Sequence, residues 1–264
     1  MVLHEKRGTK MTRVIMNGCN GKMGQCITNI CKDDPEISIV AGVDGYKGIE
    51  NEYPVFTSIG DCDVEADVII DFSNAKAVDE LLDYCEAKEI PVVLCTTGLS
   101  EEQNSRVAKV SQSTAILKSA NMSLGINTLM ELLRKAALVF GPAGFDIEIV
   151  EKHHNLKVDA PSGTALALAD SMNDALENAY AYKYDRSQER VKRDKYEIGI
   201  ATVRGGTIVG EHEVIFAGQD EVIEFKHTAY SKAVFAKGAV EAAKFLNGKP
   251  AGYYGMADVI AAKQ

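Results

Sequence analysis

At 264 residues, 46% hydrophobic and 25% charged, the chain is long enough for one large globular domain or two modest ones. Its formal net charge of -9 argues against nucleic acid or an anionic membrane as a general partner, so an anionic ligand must meet local positive charge. No apolar run reaches the roughly 18 residues of a membrane helix, and residues 1–10 lack the apolar core of a signal peptide.

Those ten residues read as a disordered lead-in, or an upstream start, before a fold that begins near Met11. The elements then alternate. "RVIMNG" is a buried strand ending in a turn, and a helical pattern follows from Met23 to Cys31. "ISIVAGVD", "ADVIIDFS", "IPVVLCTTG" and "TAILKSA" read as further buried strands, with helices over 74–88 and after Ser100. "SEEQ" gives the latter a capping box, Ser100 with Gln103. Nearly all-apolar strands alternating with helices predict a doubly wound parallel sheet of the dinucleotide-binding type. After the helix "LGINTLMELLRKAALVF" the rhythm changes. "FDIEIVEKHH" alternates, a helix spans 162–178, and consecutive strands joined at Gly205-Gly206 and at Gly218-Gln219-Asp220 read as hairpins. The second part is therefore α+β with a mostly antiparallel sheet. A last helix, 232–246, ends at Asn247-Gly248.

The six cysteines form no C-x-x-C pair, which weakens a zinc-site reading. Most sit in apolar patterns and behave as free, small hydrophobes, as in a reducing cytoplasm.

Two segments carry chemistry. "GCNGKMG" places Gly18, Gly21 and Gly24 between the first strand and its helix, where a tight turn, close backbone approach and bare helix N–H groups suit a pyrophosphate. Asp44 ends the second strand about 20 residues on, the place of an acid that accepts from an adenosine ribose. It favours NADH, while Lys47 leaves NADPH open. The strand ends Asp71-Phe72-Ser73 and Cys95-Thr96-Thr97-Gly98 fall on the same carboxyl edge.

The second segment, "EKHHNLKVDAPSGTALALAD", opens at Glu151 in a chain with only five histidines. His153 and His154 end a strand and so point to opposite faces. Lys157 follows, then Ser162, Gly163 and Thr164 open a helix whose first N–H groups seek partners. Lysine, bare N–H groups and a hydroxyl make a site for a small mono- or dicarboxylate, with a histidine to move a proton. A metal set drawn from His153 or His154 with Glu211, His212 and His227 is the alternative, though no compact ligand spacing supports it.

"EKHHNLKVDAPSGTA" resembles the signature E-x-H-H-x-x-K-x-D-A-P-S-G-T-A of the dihydrodipicolinate reductase family. "NGCNGKMG", "DFS", "TTG", "SANMSLGIN" and "RGGTIVGEHEVIF" resemble further segments of that family, so the likeness runs nearly the whole chain from Met11. It implies an enzyme of lysine and diaminopimelate biosynthesis that passes hydride from NAD(P)H to 4-hydroxy-tetrahydrodipicolinate. It implies a dinucleotide domain at 11–125, completed by 236–264, and a substrate-binding domain at 126–235 whose sheet assembles a homotetramer. Closure about junctions near Gly125 and Phe235 is expected.

By position, His153 matches the family's proton donor/acceptor and Lys157 its proton donor. His154, Ser162, Gly163 and Thr164 match the substrate-binding stretch. Gly18, Cys19, Asn20, Gly21, Lys22, Met23, Asp44, Cys95, Thr96, Thr97, Ser119, Ala120, Asn121 and Met122 match the cofactor segments. No metal is implied. The chain departs from many members at Asn155 and Leu156, where arginine and histidine are common, at Cys95, often glycine, and at Gly45, often an arginine that favours NADPH. Two other readings are a semialdehyde dehydrogenase with Cys95 as nucleophile and a non-catalytic dinucleotide sensor.

Overall fold

The computed structural model describes residues 11–263; the lead-in expected over 1–10 lies outside them. The chain divides into two units, one running to Met122 and resuming at Ala233, the other spanning Ser123–Lys232. The first unit begins with β1 (Thr12–Asn17), α1 (Lys22–Lys32), β2 (Ile37–Val43), β3 (Val55–Phe56), β4 (Val68–Asp71), α2 (Val78–Lys88), β5 (Val92–Leu94), α3 (Glu101–Val110) and β6 (Ala115–Leu117). The second holds α4 (Leu124–Phe140), β7 (Asp146–His153), α5 (Gly163–Ala175), β8 (Ala181–Lys183), β9 (Glu197–Arg204), β10 (Gly210–Ala217) and β11 (Val222–Ala229). The chain then returns to the first with α6 (Ala233–Leu246), β12 (Gly252–Tyr254) and α7 (Met256–Ala261).

The first unit is a seven-stranded, wholly parallel sheet in the order β12-β6-β5-β4-β1-β2-β3. Both faces are covered, so its strands are apolar throughout: Ile15, Ile69 and Ile116 are sealed against Leu81, Leu82 and Val107 on one side. Helix α6 packs on β1, β4, β5 and β6. Each such aliphatic side chain contributes about 1.5–3 kcal/mol by leaving water. Ser100 and Gln103 cap α3 reciprocally, as the sequence predicts. The order reverses between β4 and β1, and the carboxyl ends of these two strands meet at that switch point.

The second unit holds a mixed five-stranded sheet, order β11-β10-β7-β9-β8. The β11–β10 and β10–β7 ladders are antiparallel, the β7–β9 and β9–β8 ladders parallel. Ile147, Ile149, Val214 and Phe216 face Leu133, Ala165, Leu168 and Met172 of the two helices. Two expectations are corrected here. Gly205-Gly206 does not close a hairpin, because β7 lies between β9 and β10. The glycine loop crosses the end of β7 instead: Gly205 N donates to His153 O (2.9 Å) and Asn155 N to Gly206 O (3.2 Å). The Gly218 turn does join a hairpin, with Gly218 N donating to Glu221 O at 2.9 Å. Helix α5 stops at Ala175 rather than near Asn178, since Glu177 and Asn178 take left-handed backbone (φ 59° and 57°). Asparagine tolerates that region better than most residues. The strands β3, β8 and β12 are only two or three residues long and leave no periodic mark in the sequence.

Candidate active site

The glycine loop of the first unit is shaped by close approach. Gly18 has φ 82°, and a Cβ there would stand 2.4 Å from Phe72 O. A Cβ on Gly24 would stand 2.3 Å from Gly18 O. Gly21 is the N-cap of α1, with no side chain capping the helix. The first turn of α1 thus offers backbone N–H groups and the positive end of its dipole. These residues fit a dinucleotide pyrophosphate. Asp44 is tied to the loop: its Oδ2 accepts from Asn20 N and its Oδ1 from Tyr46 N, each at 2.9 Å. Gly18, Gly21, Asp44, Ser58, Ser73 and Glu80 all line one cleft.

The remaining expected cofactor residues divide by exposure. Lys22 is open to solvent and Met23 half-buried. Cys19 is sealed, its side chain lying against Gly42, so only its backbone faces the loop. Asn20 is buried too, donating to Tyr46 O and accepting from Asn51 Nδ2. At the end of β5, Thr96 is buried, its Oγ1 3.4 Å from Ser73 Oγ, and Thr97 is exposed. Ser119, Ala120, Asn121 and buried Met122 follow β6 at the same carboxyl edge. Beneath that edge Asp71 is wholly buried; Asn17 Nδ2 donates to its Oδ1 at 2.8 Å, while Oδ2 has no hydrogen-bond partner among the described residues. Burial raises Asp71 above the usual carboxylate range. Burial, then the Asp71 charge, raise the Cys95 thiol well above its ordinary value. That is the opposite of what a thiolate nucleophile needs.

In the second unit, β7 alternates so that Glu151 and His153 share the inner face with Ile147 and Ile149. Glu151 is 0% exposed and gathers donors from four directions. Its Oε1 accepts from Ser162 N (3.0 Å), Thr202 Oγ1 (3.2 Å) and Arg204 Nη2 (2.8 Å). Its Oε2 accepts from Arg204 Nη1 (2.9 Å) and lies 2.6 Å from His153 Nδ1. Burial alone would raise Glu151, but Arg204, His153 and the Ser162 N–H outweigh it and hold the group below the usual carboxylate range. An ionised carboxylate can only accept, so His153 Nδ1 carries the proton in that contact. His153 is itself lowered: burial acts most strongly, Glu151 opposes it, and Lys157 and Arg204 add to it.

His212 of β10 packs edge-on against His153, ring centroids 5.1 Å apart, with its Nε2 3.1 Å from Ser162 Oγ. Burial, aided by the charge at His153, pushes His212 down to about 4. Ser162 caps α5 by accepting from Ala165 N at 3.1 Å. Ser162 is 1% exposed, and its N–H and hydroxyl meet Glu151, Ala165 and His212 within the protein. Gly163 is exposed, with Thr164 beside it half-buried. Lys157 Nζ lies 2.8 Å from Asp159 Oδ1, and Asp159 is held below its ordinary range by Lys157 first, with the Gly163 N–H contributing. His154, the first residue past β7, is half-buried.

The metal set does not assemble. Glu211 sits on the face of β10 opposite His212 and pairs with Lys152 and Lys226. Among the described residues no group of three or more His, Cys, Asp or Glu could hold a metal ion. Sequence reasoning gave Glu151 and Arg204 no role of their own, and His212 one only in the metal alternative. Glu151 had a local signal, an acid two positions before a histidine on one strand face. Arg204 opens the segment "RGGTIVGEHEVIF", but 53 residues separate it from Glu151 and nothing local links the two.

Known proteins bear on the reading. The family "Dihydrodipicolinate reductase, N-terminus" matches residues 12–122, and "Dihydrodipicolinate reductase, C-terminus" matches 125–260. A 4-hydroxy-tetrahydrodipicolinate reductase of Clostridium novyi is 49% identical over 254 residues, covering 96% of this chain and 100% of that protein. One from Caldanaerobacter subterraneus is 50% identical over 250 residues, covering 95% and 98%. Among solved structures, a dipicolinate-bound dihydrodipicolinate reductase from Paenisporosarcina sp. TG-14 shares the fold with TM-score 0.78 at 24% identity, covering 94% of this chain and 99% of that one.

Proposed function

The chain belongs to the dihydrodipicolinate reductase family, and from that premise we propose how its own side chains serve the reaction. The activity is the reduction of 4-hydroxy-tetrahydrodipicolinate to tetrahydrodipicolinate with NAD(P)H, a step of lysine and diaminopimelate biosynthesis. Net, the substrate loses its hydroxyl as water, gains a hydride at carbon and takes up one proton. The observation that carries this is the near 50% identity to such reductases over almost the full length of both chains.

The nicotinamide supplies the hydride. The loop of Gly18, Gly21 and Gly24 holds the pyrophosphate by backbone N–H groups, with Lys22, Met23 and the Cys19 and Asn20 backbone completing the turn. Thr96, Thr97 and the segment Ser119 to Met122 line the nicotinamide end, with Cys95 behind them. Asp44 accepts from the adenosine ribose. The cofactor is NADH in preference to NADPH, because Asp44 and Glu80 put two carboxylates at the adenosine cleft where a 2′-phosphate would lie.

The substrate's carboxylates are held by Lys157, the N–H groups of Gly163 and Thr164, and His154. His153, its Nδ1–H fixed on Glu151, exchanges the proton through Nε2, and Lys157 is the proton donor beside it. The dipicolinate carried by the solved relative is a planar dicarboxylate of this class. No helix among the described residues is long and apolar enough to cross a membrane. A cytoplasmic homotetramer, assembled through the sheet of the second unit, is the setting we propose.

Calorimetry with pyridine-2,6-dicarboxylate and, separately, NADH tests the division of labour. Lys157→Ala is expected to lose dicarboxylate binding by at least about 10-fold, the order of a charge-assisted hydrogen bond, and to keep NADH affinity. Equal loss of both would refute it.

A further inference from the structure

We infer that Glu151, clamped by Arg204, is the positioning residue of the proton-transfer group: its carboxylate holds His153 by Nδ1–H and so makes Nε2 the atom that meets the substrate. This deepens the reading of His153 given above and rests on it.

Three observations carry it. Glu151 and His153 lie two residues apart on one face of β7, with Oε2 and Nδ1 2.6 Å apart. The carboxylate is 0% exposed, yet it is matched by both arms of the Arg204 fork, by the Thr202 hydroxyl and by the Ser162 N–H. A buried carboxylate so fully matched stays ionised and keeps one orientation. Third, the strand next to the ring begins with glycine. A Cβ on Gly210 would stand 3.1 Å from His153 Nε2, so a bare backbone leaves room beside that nitrogen.

Arg204 also donates to Asp159 O at 2.6 Å, binding the histidine's carboxylate and the Lys157 loop to one guanidinium. The charges facing His153 are thus Glu151 on its own strand, Arg204 at the end of β9, His212 on β10 and Lys157 in the loop. Of these only Glu151 favours the imidazolium. Removing its charge therefore lowers the proton affinity of His153 and frees the ring to take the other tautomer.

The test pairs kinetics with spectroscopy. Glu151→Gln is expected to lower kcat by about 10- to 100-fold, within the range of general acid–base contributions. It should also move the pH profile of kcat/KM to lower pH by about one unit, the size expected for loss of a nearby charge. Glu151→Asp keeps the charge and should restore the profile's position even where kcat stays low. An unshifted profile in Glu151→Gln would overturn the proposal. Should that variant fail to fold, imidazole nitrogen NMR of the wild-type protein decides: neutral His153 protonated on Nδ1 supports it, and protonation on Nε2 overturns it. The NMR result does not depend on turnover. If His153→Ala leaves turnover intact while wild-type His153 shows the Nδ1–H tautomer, the proton-transfer reading fails and the positioning by Glu151 stands.

Discussion

Lys157 Nζ and Asp159 Oδ1 stand 2.8 Å apart at the mouth of α5, so the ammonium expected to hold the substrate is already paired with a carboxylate of its own loop. Asp159 is 56% exposed at its side chain, and such a half-open pair contributes only about 0.2–1 kcal/mol. An incoming dicarboxylate with two anchoring points can displace it.

Asp159→Asn is accordingly expected to tighten pyridine-2,6-dicarboxylate binding, by up to about five-fold, the factor that the upper end of this pair energy corresponds to. Calorimetry reads it. A weakening of similar size would mean that Asp159 serves to aim Lys157 rather than to occupy its place.

Gly24→Ala places a methyl group 2.3 Å from Gly18 O, and the loop must move to admit it. Overpacking of this kind costs about 1–3 kcal/mol. NADH affinity should fall by about 10- to 100-fold with dicarboxylate binding unchanged, a split that titration of each ligand measures directly.

The first unit was legible because a parallel sheet covered on both faces writes its strands as apolar runs, and because Ser100 and Gln103 mark a helix start. The second unit was legible only in part. Gly205-Gly206 looks like a hairpin turn, and nothing local announces that β7 will be inserted between the strands it joins. Ser162 looks like a donor to a ligand because capping and anion binding use the same residue types; only the fold shows its hydroxyl committed to Ala165 N and His212. The clamp on Glu151 comes from Ser162, Thr202 and Arg204, at separations of 11 to 53 residues that periodicity cannot connect.

His212 gives the second unit an acid-sensitive point. Its folded value, about 4, lies below the ordinary 6.5. Above 6.5 neither the folded nor the unfolded chain is protonated there. Between 6.5 and about 4 the unfolded chain binds a proton that the folded chain does not, so stability falls as pH falls, by up to about 1.4 kcal/mol per unit. Denaturant melts across this window should show that slope, and His212→Asn should flatten it. A slope unchanged in the variant would assign the acid sensitivity to other groups.

Cys95→Ser should leave turnover within about three-fold, since desolvation and the Asp71 charge hold this half-buried thiol well above its ordinary range and disfavour a thiolate. Steady-state rates check this, and a loss of several orders of magnitude would revive a covalent mechanism.

The central claim is tested most directly by supplying freshly generated 4-hydroxy-tetrahydrodipicolinate to the purified protein and following nicotinamide absorbance with NADH and NADPH in turn. The account predicts substrate-dependent oxidation with both, a higher kcat/KM with NADH, and loss of the signal in His153→Ala and Lys157→Ala. Absence of oxidation with either cofactor would contradict it.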